Sequence, residues 1–116
     1  MRTVANVYMH VLNAQFRKYD SRLFCQAGMP LALKPKFARN PNAHAWLWKD
    51  HTAWAEAAEI TEAAKEHPDG YLSKCGGTYS SEWYWAKILR CARTAPRVFD
   101  AAYSWVELAD FVPAWA

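Results

Sequence analysis

The residues best suited to bind a small molecule lie in one short stretch, Trp46 to Trp54. It holds three tryptophans around the polar residues Lys49, Asp50 and His51. An indole ring can cover the C–H face of a polyhydroxylated ligand, while a carboxylate or an imidazole hydrogen-bonds its hydroxyl groups. The stretch is therefore chemically suited to one wall of a sugar site. From composition alone packing is the favoured interpretation, because runs of aromatic residues are usually buried.

The remaining reactive residues form no recognisable catalytic or metal-binding pattern. The four histidines and three cysteines lack the ligand spacing of a structural zinc site. Cys75 precedes Gly76 and Gly77, but no histidine stands out as its general base, so a structural role is favoured. The two glycines lack the Gly-Lys-Ser/Thr that completes a phosphate-binding loop, and they predict a flexible turn. We therefore predict no catalytic residue and no metal ligand in this chain.

Composition indicates one globular domain. The chain has 116 residues, of which 53% are hydrophobic and 22% charged, as is usual for a folded protein. The net charge of +3 is spread along the chain, which argues against a nucleic-acid partner. Neither a bilayer-spanning apolar run nor a signal-peptide pattern is present, so we expect no membrane partner. An odd number of cysteines without close spacing indicates reduced thiols in the cytoplasm.

The hydrophobic pattern predicts a mainly α-helical chain with one or two short strands. Four segments show helical periodicity or good helix formers, namely 1–18, 53–66, 80–94 and 96–110, and capping residues precede the second and third. Asp50 or Thr52 is expected to cap the second of these helices. Trp46, Leu47 and Trp48 are expected to end a buried strand, because they are apolar and bounded by turn residues.

Several segments occur in an order and spacing that a known family shares. They are residues 31–38, 40–43, 47–53, 76–89 and 104–114. In these segments the chain resembles the bacterial L-ribulokinases of the FGGY carbohydrate kinase family. His51 and the Ser-Ser-Glu-Trp run at 80–83 make the resemblance specific, since the wider family usually has arginine or glycine at the position of His51 and lacks that run. The resemblance covers residues 28–116.

The resemblance implies both an architecture and a function. Kinases of this family transfer phosphate from ATP, with Mg²⁺, to the terminal hydroxyl of L-ribulose in arabinose catabolism. Their fold is α/β, with two RNase H-like domains of the actin-like kinase type around a central cleft. Residues 28–116 would be part of the N-terminal, sugar-binding domain. Trp48 and Asp50 match the Trp-x-Asp motif that lines the sugar pocket, and Tyr79 matches a position where a tyrosine approaches the polyol.

The resemblance assigns no ligand contact to two of the three tryptophans between Trp46 and Trp54. Trp46 and Trp54 flank the Trp-x-Asp motif without belonging to it. We expect both to be packing residues, as aromatic side chains in short runs usually are.

Some parts of the kinases in this family have no counterpart in this chain. Residues 1–27 have the pattern of an amphipathic helix, where the family has a strand with a Gly-Val-Asp-Ser/Thr-Thr-Gly motif. The aspartate that acts as general base and the ATP-binding domain are also missing. Because phosphoryl transfer needs groups from both domains, we expect an inactive fragment, from an interrupted reading frame, that binds neither ATP nor Mg²⁺. The alternative is a small helical interaction protein whose exposed tryptophans bind a partner or cause self-association.

Overall fold

The structure, a computed structural model, describes residues 30–110. The elements bounded within them are three α-helices and three short 3-10 helices, and these residues contain no strand. The α-helices are α1 (Trp54–Lys65), α2 (Tyr84–Thr94) and α3 (Pro96–Ala101), and the 3-10 helices are Leu31–Leu33, Pro41–Ala43 and Tyr71–Cys75. The prediction of a mainly helical chain is confirmed for this part. The helix predicted in residues 1–18 lies outside the described residues.

Helix α1 is the element that local sequence predicts best. Alanine and glutamate, both good helix formers, dominate it. Glu56 in its first turn and Lys65 in its last turn both suit the helix dipole. After the helix the chain turns at Gly70, whose φ of 60° disfavours any residue with a side chain. The prediction of a helix over 53–66 is therefore confirmed, with differences only at the terminal residues.

The predicted cap of α1 is wrong. The N-cap residue is Ala53, and no side chain accepts a hydrogen bond from the free amides of the first turn. Asp50 instead accepts the N–H of Thr52 at 2.9 Å. This bond closes a side-chain turn just before the helix, which is the other structure that aspartate commonly stabilises.

The predicted strand end at Trp46, Leu47 and Trp48 is also wrong. These residues are irregular in the structure, with Leu47 62% and Trp48 73% exposed. The Asp50 N–H donates to the Leu47 carbonyl at 3.0 Å, which closes a turn. A strand here would have no neighbour in residues 30–110, and its backbone groups would lack ladder partners.

The helix predicted over 96–110 is interrupted. Helix α3 ends at Ala101, and residues 102–107 are not helical, although 108–110 are. Trp105 stacks on Phe99 with ring centroids 5.9 Å apart. Residues six apart in an α-helix lie on different faces, so this contact requires the helix to end. The Tyr84 hydroxyl also donates to the Trp105 carbonyl, which a continuous helix would use within itself.

Helix α2 is the centre of the hydrophobic core. The buried apolar side chains of this core are Phe37, Ile88, Leu89, Cys91, Ala92, Val98 and Phe99. A second cluster of Ala53, Ala57 and Ala86 lies where α1 meets α2. Because alanine side chains are small, the two helices can pack closely there. Helix α2 thus connects the main core to α1.

Thr61 joins α1 to the loop that precedes α2. Its hydroxyl donates to the Ala57 carbonyl at 2.9 Å, and its oxygen accepts the N–H of Tyr79 at 2.9 Å. Thr61 is buried, at 9% exposure. Little water can therefore replace it as the acceptor for Tyr79.

Replacing Thr61 by valine should lower the free energy of unfolding by about 1–2 kcal/mol, because the Tyr79 N–H loses its acceptor while the side-chain volume is kept. Urea denaturation followed by far-UV circular dichroism measures the change. Thr61→Ser keeps the hydroxyl and is the control. A loss for serine as large as that for valine would contradict the role of the hydrogen bond.

Some large apolar side chains of the described residues remain exposed. Trp54 is 71% and Leu108 72% exposed, alongside Leu47 and Trp48. Self-association through these side chains stays a prediction. Among the helices of residues 30–110, none is long and apolar enough to cross a membrane.

Candidate functional site

An open cavity of about 270 Å³ lies between α2 and the turn that precedes α1. Its polar lining residues are Asn42, Asp50, Thr52, Lys87, Arg90 and Thr94, and Trp46 is an aromatic part of its wall. Lys87, Arg90 and Thr94 follow each other at three- and four-residue intervals on α2, which places them on one helix face. Trp46 and Asp50, which belong to the stretch predicted to bind a sugar, therefore face a polar side of α2 across this cavity.

Asp50 is held in a fixed position in this cavity. Its carboxylate accepts the Thr52 N–H, and this hydrogen bond, together with one from the Thr52 side chain, lowers the pKa of Asp50 below its usual value. Partial desolvation opposes that shift, whereas the positive charges of Lys87 and Arg90 add to it. Asp50 is consequently ionised at neutral pH and can accept hydrogen bonds from a ligand.

Lys87 ties this stretch to α2. Its side chain is buried, at 8% exposure, and its ammonium group donates to the Leu47 carbonyl. A buried ammonium group without an acceptor would destabilise the fold. The hydrogen bond therefore satisfies Lys87 and also holds the loop at Leu47 against α2. The bond fixes the backbone three residues before Asp50.

His51 makes a second link between the same two parts of the chain. Its Nδ1 lies 3.1 Å from Ser81 Oγ, and its Nε2 lies 3.5 Å from Glu82 Oε1. These are the residues that made the family resemblance specific. In the structure, His51 of segment 47–53 contacts Ser81 and Glu82 of segment 76–89.

Trp48 and Tyr79 do not line the cavity that holds Asp50. Trp48 is largely exposed. Tyr79 is half-buried, its hydroxyl oxygen accepts the Trp85 N–H at 3.1 Å, and its ring is perpendicular to that of Trp83 with ring centroids 5.0 Å apart. Burial raises the pKa of Tyr79 above its ordinary value. Of the three predicted sugar-binding residues, the structure thus places Asp50 alone in the cavity, and the binding roles of all three stay predictions.

The two flanking tryptophans differ from each other. Trp46 stacks on Trp105 with ring centroids 5.2 Å apart, and it packs against the core, so its packing role is confirmed. The same prediction is wrong for Trp54, which is exposed. Ala53 and Ala57 form the face of α1 that packs on α2, and Trp54 begins the helix on another side.

Lys87 and Arg90 are site residues that sequence reasoning did not single out. Both lie on an amphipathic helix, where a lysine or arginine usually faces solvent. The available signal was their spacing with Thr94, which marks a polar stripe beside the apolar face of α2. That stripe becomes a site only because the Asp50 turn packs against it.

The described residues show neither a cluster of metal ligands nor a complete phosphate-binding loop motif. No group of three or more His, Cys, Asp or Glu side chains in residues 30–110 could hold a metal ion. Gly76 and Gly77 have φ values of 73° and 88°. A Cβ at either position would meet no protein atom within 4 Å, so it is the positive φ of the turn that favours glycine at both positions.

Comparison with known proteins identifies relatives of this chain. It is 48% identical over 88 residues to a ribulokinase of Vibrio parahaemolyticus, a match that covers 75% of the chain and 16% of that protein. A ribulokinase of Bacillus licheniformis is 35% identical over 85 residues, and one of Mycolicibacterium smegmatis 38% over 85 residues, each covering 73% of the chain and 15% of the relative. The chain is related to the ribulokinases. No family model matches it.

The ribulokinase match necessarily includes the three predicted sugar-binding residues. Any continuous stretch that covers 75% of the 116 residues contains the range from Trp46 to Trp54 and also Tyr79. The predicted resemblance to ribulokinases is therefore confirmed for these residues. The chain spans only 15–16% of the length of the ribulokinases cited.

Proposed function

We propose that this chain is part of an L-ribulose kinase and carries one wall of its sugar site. The observation that carries the proposal is the 48% identity over 88 residues to a ribulokinase. The proposal includes the family's reaction for the whole enzyme, which is ATP-dependent phosphorylation of L-ribulose in arabinose catabolism in the cytoplasm. It also includes the RNase H-like α/β architecture, in which residues 28–116 would be part of the N-terminal domain.

Asp50 would contact the sugar directly. Its carboxylate is ionised, held by Thr52 and open to the cavity, so it can accept hydrogen bonds from ligand hydroxyls. The exposed indole of Trp48 would cover the carbon chain. Tyr79 would contribute its O–H donor, since the Trp85 N–H occupies only an acceptor position of that hydroxyl. Together these groups would orient the substrate.

ATP and Mg²⁺ would bind elsewhere in the whole enzyme. Residues 30–110 contain no group of three or more metal-ligating side chains, and the part proposed for these residues is to position the sugar. The alternative of a small interaction protein gains no support from the relatives, which are all named as kinases.

A chimeric enzyme tests the proposal. The matched segment of the Vibrio parahaemolyticus ribulokinase is replaced by the corresponding residues of this chain, and ADP release is measured with L-ribulose. We expect turnover by the chimera. Asp50→Asn in that chimera should raise the KM for L-ribulose by about tenfold or more, with a smaller change in kcat, because a charged hydrogen bond to the bound sugar is weakened.

Lys49→Gln is the matched control, because Lys49 is exposed next to Asp50 and does not line the cavity. Its KM should match that of the unmodified chimera. The 116-residue chain alone should release no ADP above background, since one wall of a site cannot supply both domains. A folded chimera without turnover, or an unchanged KM for Asp50→Asn, would contradict the proposal.

A further inference from the structure

We propose that the cavity between α2 and the Asp50 turn binds a small anionic polyol, with Arg90 as the anchor for its phosphate or carboxylate group. This ligand class differs from the neutral sugar of the proposed function by its negative charge. The inference rests on the charges of the cavity in the chain as it stands, and it requires neither ATP nor phosphoryl transfer.

Arg90 has an unused hydrogen-bonding capacity. Within residues 30–110 its guanidinium group makes no hydrogen bond and no ion pair. Its positive charge lowers the pKa of Asp50 without direct contact between the two side chains. Arg93 lies about one helical turn after Arg90 on α2, and it differs because it forms an ion pair with Glu59 at 2.7 Å. A guanidinium group presents five N–H donors in a planar fork that matches an oxyanion. The half-buried Arg90 lines the cavity with that fork available.

The other two charges of the cavity favour the same ligand class. The Lys87 ammonium group uses one N–H for the Leu47 carbonyl, and two further donors remain. Two cations against the single carboxylate of Asp50 leave the cavity with a net positive charge, which attracts an anion. A bare anion would be repelled by Asp50, whereas a ligand that also carries hydroxyl groups can donate to that carboxylate.

The size and walls of the cavity suit a molecule of this kind. At about 30 Å³ for each water molecule, 270 Å³ is room for roughly nine waters, the space of a five-carbon polyol. Trp46 gives one firm aromatic wall, because its stack on Trp105 holds the ring in place. The Thr94 hydroxyl donates to the Arg90 carbonyl at 2.9 Å, so its oxygen can accept a ligand hydroxyl.

Titration of the purified 116-residue chain tests the inference. The probes are inorganic phosphate, D-ribose 5-phosphate and D-ribose, at constant ionic strength, with binding followed by calorimetry and by the indole N–H resonance of Trp46. We expect saturable binding of D-ribose 5-phosphate and weaker binding of both phosphate and D-ribose. Equal affinity for D-ribose and its phosphate would overturn the anionic anchor. Phosphate binding as tight as D-ribose 5-phosphate would overturn the polyol part.

Variants identify the anchor. Arg90→Gln should weaken D-ribose 5-phosphate binding by about tenfold or more, since a charged hydrogen-bonding pair is lost. Arg90→Lys keeps the charge without the fork and should lose less. Arg97→Gln removes an exposed arginine of α3 that does not line the cavity, and it should bind like the wild type. Undiminished binding by Arg90→Gln would overturn the proposal, as would an equal loss in Arg97→Gln. Helix content by far-UV circular dichroism, and the retained affinity of Arg90→Lys, separate loss of the anchor from loss of folding.

Discussion

Replacing Arg93 by methionine should lower the free energy of unfolding by about 2–3 kcal/mol. Glu56 is buried, at 5% exposure, and the Arg93 guanidinium lies 3.8 Å from its carboxylate while pairing with Glu59 at 2.7 Å. Without Arg93, the Glu56 carboxylate would lie between α1 and α2 with no counter-charge. The expected loss is below the roughly 3–5 kcal/mol typical of fully buried pairs, because the Arg93 side chain is itself 26% exposed.

Removing the other partner should have a different result. Within the described residues, Glu56 Oε2 and Arg93 Nε are buried without hydrogen-bond partners, so the pair is incompletely satisfied. In Glu56→Met, Arg93 keeps its ion pair with Glu59 at 2.7 Å, so no buried charge loses its last partner, and the free energy of unfolding should change by less than about 1 kcal/mol. Urea denaturation of both variants measures the contrast. A loss in Glu56→Met equal to that in Arg93→Met would show that the pair itself stabilises the fold, against this account.

Local sequence signals were sufficient for α1 but not for the end of α3. The composition of α1, the charges at its two ends and Gly70 after it all act within the segment. The break after Ala101 depends on Trp105, which stacks on Phe99 and on Trp46. Trp46 lies far away in the sequence, so periodicity over 96–110 contains no trace of this contact. Tertiary packing overrides helical propensity there.

The same division applies to the candidate site. The family resemblance located Asp50, because its motif is local in sequence. The residues that hold and face Asp50 belong to α2, and an exposed Lys or Arg would give the same helical pattern as the buried Lys87. The strand predicted at Trp46–Trp48 failed for a related reason. Aromatic residues predict burial by type, whereas Trp48 is exposed in a turn that Lys87 holds through the Leu47 carbonyl.

Helix α2 therefore serves the core with one face and the cavity with another. Ile88 and Leu89 are buried in the core, while Lys87 and Arg90 line the cavity. If the two faces act separately, a change in the core should alter stability alone. A change at Arg90 should alter ligand affinity alone.

Ile88→Ala should lower the free energy of unfolding by about 3 kcal/mol, because Ile88 is 1% exposed and its truncation leaves a cavity among packed side chains. Ile88→Val is the matched control and should cost only about 1 kcal/mol. Urea denaturation measures both losses. At temperatures where Ile88→Ala is folded, its affinity for D-ribose 5-phosphate should equal that of the wild type, whereas Arg90→Gln should lose affinity at nearly unchanged stability. Parallel losses in both properties for either variant would mean that the core face of α2 sets the geometry of the cavity, and the separation of the two faces would be wrong.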